Sequence, residues 1–221
     1  MAALLLDFGG VVHRSYLELV PEWARREGIP AEGANRSGPF GTSLDPLWEA
    51  LQRGEVTERD FWRRRAAEFG EIFGQRWSTR DLMQRVSDVA EEVLVRPEVY
   101  RLLDAAASAG APTGVLTNDL EHFHGADWVA RQGVLHRFDR VLDGSVTGVL
   151  KPDPQAYRSA AAELDVAVSD LVFLDDQPWN VAGAARLGAR AIQVDVTDPQ
   201  PAFDAAAVAI NGSRARRGEA G

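Results

Sequence analysis

The chain has no cysteine. That excludes a disulfide framework, a thiol nucleophile and a thiolate metal site, and it fits a reducing cytoplasm. No apolar run approaches the ~20 residues that a membrane span needs. The opening "MAALLLDFGG" is too short for the apolar part of a signal peptide, and Asp7 interrupts it. Positive charge is scarce as well: 33 acids face 24 lysines and arginines, a formal net charge of −9. An acidic surface argues against nucleic acid or an anionic membrane as the partner, although a local site on such a protein can still take an anion. No G-x-G-x-x-G follows the first apolar run, so the dinucleotide-binding reading fails. The expectation is a cytoplasmic protein, with its oligomeric state open.

What is present is ordinary for a folded domain. The chain has 221 residues, 45% hydrophobic and 26% charged, enough for one large domain or a domain with an insertion. Four short apolar runs stand out: "ALLLDF" (2–8), "TGVLTND" (113–119), "DLVFLDD" (170–176) and "RAIQVDV" (190–196). Short continuous runs of this kind read as strands buried on both faces, as in a parallel sheet. Helical patterns separate them. "RPEVYRLLDAAASAG" has Pro97 in its first turn and stops at Gly110, "DPQAYRSAAAELD" follows Pro152 and has Pro154 near its start, and "QPWNVAGAARLG" stops at Gly188. Strands alternating with helices predict βαβ units and a doubly wound sheet.

Residues 14–95 break that rhythm. "SYLELVPEWARREG", "LDPLWEALQRG", "TERDFWRRRAAEFG" and "TRDLMQRVSDVAEEVL" read as amphipathic helices, with Thr57 and Asp60 as a capping-box signal. Trp23, Trp48, Trp62 and Trp77 are expected to anchor their packing. The reading is therefore an α/β core over residues 1–13 and 96–221, with a helical domain at 14–95 inserted after the first strand. The tail "NGSRARRGEAG" is expected to fray.

Open α/β sheets bind ligands at the carboxyl ends of their strands. Those ends carry Asp7, then Thr117 and Asn118, then Asp175 and Asp176, and Lys151 stands just before a helix start. Singly, each has a plainer explanation: an Asp that ends a strand can simply cap the next helix, and a lysine before proline is commonly a solvated loop residue. Together they gather carboxylates, a hydroxyl and an amine on one sheet edge. Clustered carboxylates repel, and one must take up a proton unless a cation relieves them. A hard oxygen-only set suits Mg²⁺, which binds one or two carboxylates and keeps water or phosphate oxygens elsewhere. His122 and His124, two apart on a helix, are expected on different faces and at the surface. Beside Mg²⁺ an Asp can attack phosphorus. Thr117, the Asn118 N–H, Lys151 and the amides of "FGGV" can then serve the phosphoryl oxygens, with Gly9 and Gly10 letting the backbone approach.

The order Asp7, "LTN", "KPD", "FLDD", with helices inserted after the first motif, resembles the haloacid dehalogenase-like (HAD) superfamily, in the subgroup with an early helical cap. The resemblance runs from residue 2 to about 195. It implies Asp7 as nucleophile, and Asp7, the Gly9 carbonyl and Asp176 as Mg²⁺ ligands, with Asp175 assisting directly or through water. It further implies Thr117 and Asn118 as phosphoryl binders, Lys151 as the neutralising cation, Asn180 as a brace for the loop after "DD", and the helices as a cap over a small phosphorylated metabolite.

One position departs. Family phosphatases carry an Asp two residues after the nucleophile that protonates the leaving oxygen, and here that residue is Gly9. A general acid contributes ~10²–10⁴-fold. Four outcomes follow. The protein is a phosphatase without that acid, or one using His13, for which a hinge-loop residue is the plainer reading. It is a dehalogenase, whose halide leaves unprotonated, although such enzymes lack the acidic pair. It is a phosphate-sensing or scaffold member without turnover. Or it is a phosphorylatable receiver, in which the order of the motifs would be reversed. The expectation is the phosphatase. Arg14, Arg36, Arg63 and Arg64 are expected to face solvent.

Overall fold

The computed structural model describes residues 2–30 and 36–218, with side chains described as far as residue 212. The chain divides into two compact units: Met1–Arg14 with Glu91–Gly221, and Ser15–Ala90.

The first unit is an α/β fold built on a five-stranded parallel sheet in the order β3-β2-β1-β4-β5. The strands are β1 (Ala3–Leu6), β2 (Thr113–Thr117), β3 (Arg140–Asp143), β4 (Leu171–Asp175) and β5 (Arg190–Gln193). β1 is wholly buried at the centre of the sheet. Its period-2 geometry sends successive side chains to opposite faces. Leu4 and Leu6 join one core with Val99, Leu102, Val172 and Phe203, while Ala3 and Leu5 join the other with Tyr157, Ala160, Phe173 and Ala184. Helices Pro97–Ala109 and Gln200–Gly218 cover the first face, and Pro154–Glu163 and Pro178–Arg186 the second. The chain builds outward from β1 to β2 and β3, then crosses back to β4 and β5, so the switch point lies between β1 and β4. Leu6 pairs with Leu174, which brings the residues that follow those two strands level with one another.

β3 is the strand that the apolar runs did not reveal. It lies at the sheet edge with Arg140 and Val141 exposed, and "RVLD" carries a charge at each end. The helix from Gln200 continues to Gly218, into the tail expected to fray, and residues 219–221 and the side chains of the tail arginines lie outside the described residues.

The second unit is helical, with helices Tyr16–Arg26, Pro46–Gln52, Glu58–Ile72 and Thr79–Val86. Trp23 packs edge-on against Phe69 and also meets Trp77, both tryptophans being buried. Thr57 Oγ accepts the Asp60 N–H, but the complete reciprocal capping box belongs to Ser78 and Asp81. The expected long helix at "TRDLMQRVSDVAEEVL" is split, ending at Val86 and resuming as the short helix Glu91–Leu94. Arg36 pairs with Glu68 and Arg63 with Asp60, while Arg64 is exposed. No helix among the described residues is long and apolar enough to cross a membrane.

Candidate active site

The site forms at the carboxyl edge of β1, β2 and β4. Asp7 directly follows β1, tied by its N–H to the Leu174 carbonyl at 2.9 Å. The chain then turns tightly: Asp7 Oδ1 accepts the Phe8 N–H at 2.7 Å, and the carbonyls of Asp7 and Phe8 accept the amides of Val12 and His13. The two glycines in this turn differ. Gly10 has φ +80°, and a Cβ there would lie 2.8 Å from Asp176 Cγ, so only glycine fits. Gly9 has no such demand, because a Cβ there meets nothing within 4 Å.

Lys151 is the one lysine in the chain. Its side chain is 1% exposed, and Nζ lies 2.7 Å from both Asp7 Oδ1 and Asp175 Oδ2. Asn118 holds the Lys151 backbone at both ends, Oδ1 accepting its N–H at 2.7 Å and Nδ2 donating to its carbonyl at 3.1 Å. The Asn118 side chain therefore positions Lys151. Thr117 ends β2 and is buried.

Asp175 ends β4 and is fully buried. It accepts from the Gln177 N–H, from Asn180 Nδ2 at 3.1 and 3.2 Å, and from Lys151. Asn180 thus braces the acid as well as the loop, and its own carbonyl accepts the Tyr157 hydroxyl at 2.8 Å. Asp7, Asp175 and Asp176 each offer an oxygen within 4.8 Å of the others. Three acids against one lysine leave negative charge in excess. Burial raises the Asp7 carboxyl to about 7, Lys151 opposes the rise and Asp175 adds to it. Burial alone would lower the Lys151 ammonium, but Asp175 and Asp7 more than offset that and push it up.

His13 stands in the loop after β1, and His124 departs from the surface position expected of it. His13 is 1% exposed, bridged by its backbone to Gly9 and Val95, and its ring lies against Phe8 and Trp128. Neither ring nitrogen has a hydrogen-bond partner, and burial followed by the nearby His124 lowers its pKa to about 3. The ring is neutral near pH 7 and is no proton donor of use there. His124 is buried and stacked on Trp128 at 4.1 Å, because the helix that carries it turns Phe123 and His124 inward, while His122 is exposed.

Three residues of the site carried no sequence signal. Arg96 is 2% exposed, and its Nε donates to the Gly10 carbonyl at 3.1 Å. Gln177 Nε2 donates to Asp176 Oδ2 at 2.8 Å. Tyr157 holds Asn180 from the facing helix. The solitary lysine was a signal available in the composition.

Comparison with known proteins converges on one group. The family described as haloacid dehalogenase-like hydrolase matches residues 1–188. The chain is 31% identical to (S)-2-haloacid dehalogenase 1 of Pseudomonas sp. (strain CBS-3), covering 76% of this chain and 78% of that protein. It is 30% identical to a phosphoserine phosphatase of Thermus thermophilus over 88% and 89% of the two chains. It is 26% identical to mouse Acyl-CoA dehydrogenase family member 10 over 87% of this chain but only 18% of that protein. A solved HAD phosphatase from Thermococcus onnurineus shares the fold, with a TM-score of 0.55 and 20% identity over 88% and 86% of the two chains.

Proposed function

Because the chain belongs to the haloacid dehalogenase-like hydrolase family, we propose that it is a Mg²⁺-dependent hydrolase of a small phosphomonoester, with Asp7 as nucleophile. The observation that carries this reading is Asp176, a third carboxylate beside Asp7 and Asp175 at a site with one lysine. A halocarboxylate would add a further negative charge to that set, whereas a phosphomonoester arriving with a divalent cation adds none. The donors fit such a cation, being hard oxygens that cannot all stay ionised without one. Asp7, Asp176 and the Gly9 carbonyl would hold it, with Asp175 behind Lys151. When bound, it offsets charge on the phosphoryl oxygens and the surrounding acids.

The chain's own residues do the rest. An Asp7 carboxylate oxygen attacks phosphorus, and the bond to the leaving oxygen breaks with its electron pair going to that oxygen. No side-chain acid stands at position 9, so the leaving oxygen takes its proton from water. Water then attacks phosphorus, its proton going to the hydroxide left by the first step, the bond to Asp7 breaks with its electron pair returning to the carboxylate, and inorganic phosphate leaves. Lys151 offsets charge on Asp7 and the phosphoryl group. The Thr117 hydroxyl, the Asn118 N–H and the amides of Gly9 and Gly10 donate to its oxygens. Selection of the leaving group is assigned to the helical unit. The test is a panel of phosphorylated metabolites assayed with Mg²⁺ against an Asp7→Asn blank. Equal rates throughout would overturn the reading.

Gly9 favours a second reading, 2-haloacid dehalogenation. There Asp7 displaces halide from carbon, water hydrolyses the ester, and no proton donor is needed for the departing halide. Halide release without Mg²⁺, absent in Asp7→Asn, would put this reading first.

A further inference from the structure

We infer that Gln177 is a positioning residue for the divalent cation, holding Asp176 in the orientation that binds it. The inference rests on the reading above, that Asp7 and Asp176 hold Mg²⁺. Gln177 engages both acids at the end of β4: its N–H donates to Asp175 Oδ1 at 2.8 Å and its Nε2 to Asp176 Oδ2 at 2.8 Å. The side-chain amide is tied down by this second bond, since reversing it would set Oε1 against a carboxylate oxygen.

The other end of that amide is the anomaly. Gln177 is 7% exposed, and its Oε1 is buried with no hydrogen-bond partner. An orphaned buried carbonyl opposes folding. An apolar side chain of the same length would serve the fold at least as well, and what it would lack is the donor to Asp176. Asp176 has further contacts. Its carboxyl lies over Gly10, whose carbonyl is held by Arg96 Nε, and its own carbonyl accepts from Gln193 Nε2 at 3.4 Å. The Gln177 side chain holds the carboxylate itself, at Oδ2. Partners of metal ligands act in this way, and losing one weakens metal affinity ~10–100-fold.

The test uses Gln177→Met, which keeps the length without the donor, and Gln177→Leu as a second variant. Mg²⁺ is titrated calorimetrically into each metal-free protein, and the same metal-free samples are melted. The expected result is affinity weaker by ~10–100-fold with a metal-free melting temperature equal to or above wild type, because the orphaned carbonyl is gone. Unchanged affinity in either folded variant overturns the inference, and so does an affinity loss that merely tracks a lower metal-free melting temperature. Asp7→Asn is titrated alongside. If wild type binds no Mg²⁺, or Asp7→Asn binds it equally well, the underlying reading fails and this inference with it. If Asp7→Asn loses binding while Gln177→Met keeps it, only the role of Gln177 fails.

Discussion

Arg65 in the helical unit and Lys151 in the α/β unit are both 1% exposed, and both contact a pair of acids. The surroundings differ. Arg65 meets Asp45 at 2.6 Å, and the Asp45 oxygens also accept the Gly38 and Trp48 amides, so that acid caps a helix and closes a turn. Its second partner, Glu68, is only partly buried and remains within reach of solvent. Glu68 also pairs with Arg36, so two arginines match the two acids. Around Lys151, Asp176 stands as a third carboxylate, and Asp7 resists ionisation. A buried pair that is matched in charge specifies structure, and a buried cluster left in excess marks a place for something from outside.

The comparison can be broken in several ways. The largest expected effect is on turnover: Asp7→Asn should lower it on the order of 10⁴-fold or more, measured on whichever substrate the panel identifies. Next come the two cations. Arg65→Met and Lys151→Met should each destabilise the metal-free protein by about 3–5 kcal/mol near neutral pH, since each strands buried acid. Adding Mg²⁺ should recover part of the Lys151→Met loss and none of the Arg65→Met loss. Equal responses in denaturant titrations would erase the distinction between the units. Third, Gly9→Asp should fill open space and supply the missing proton donor, raising turnover of poor leaving groups ~10²-fold. An unchanged rate in that variant would mean that leaving-group protonation does not limit it.

The smallest effect concerns pH. His13 is held neutral, with a folded pKa of about 3 against an ordinary 6.5. Below pH 6.5 the unfolded chain takes up a proton that the folded chain refuses, so stability is present above that pH and is lost as pH falls toward 3. Between pH 6.5 and 5 this amounts to about 2 kcal/mol. His13→Phe should remove that slope in melts across the range, and a variant that keeps the full slope would place its origin in other groups.

Much of this was legible in the residues. The centre of the sheet was readable because Ala3–Leu6 and Leu171–Leu174 are buried on both faces and so must be apolar throughout. The places of Asp7, Asp175 and Asp176 at one sheet edge were readable because each ends or follows an apolar run, and Lys151 was singled out as the residue just before a helix start. β3 was not, since an edge strand is free to be charged. His124 was not, since periodicity reports which residues share a face but not which face turns inward. Gln177 and Arg96 were not, because a positioning residue is defined by what it touches, and those contacts join positions up to 86 residues apart.

The burial of Lys151 has a practical consequence. It is the sole side-chain amine the molecule has, and every other basic residue among the 24 is an arginine. Acylating reagents that decorate most proteins at many surface points here have one internal target, shut away until the cluster around it opens. The extent of modification at Lys151 is therefore a direct chemical readout of how often the site opens, and a ligand that closes the site should slow it without any label being introduced.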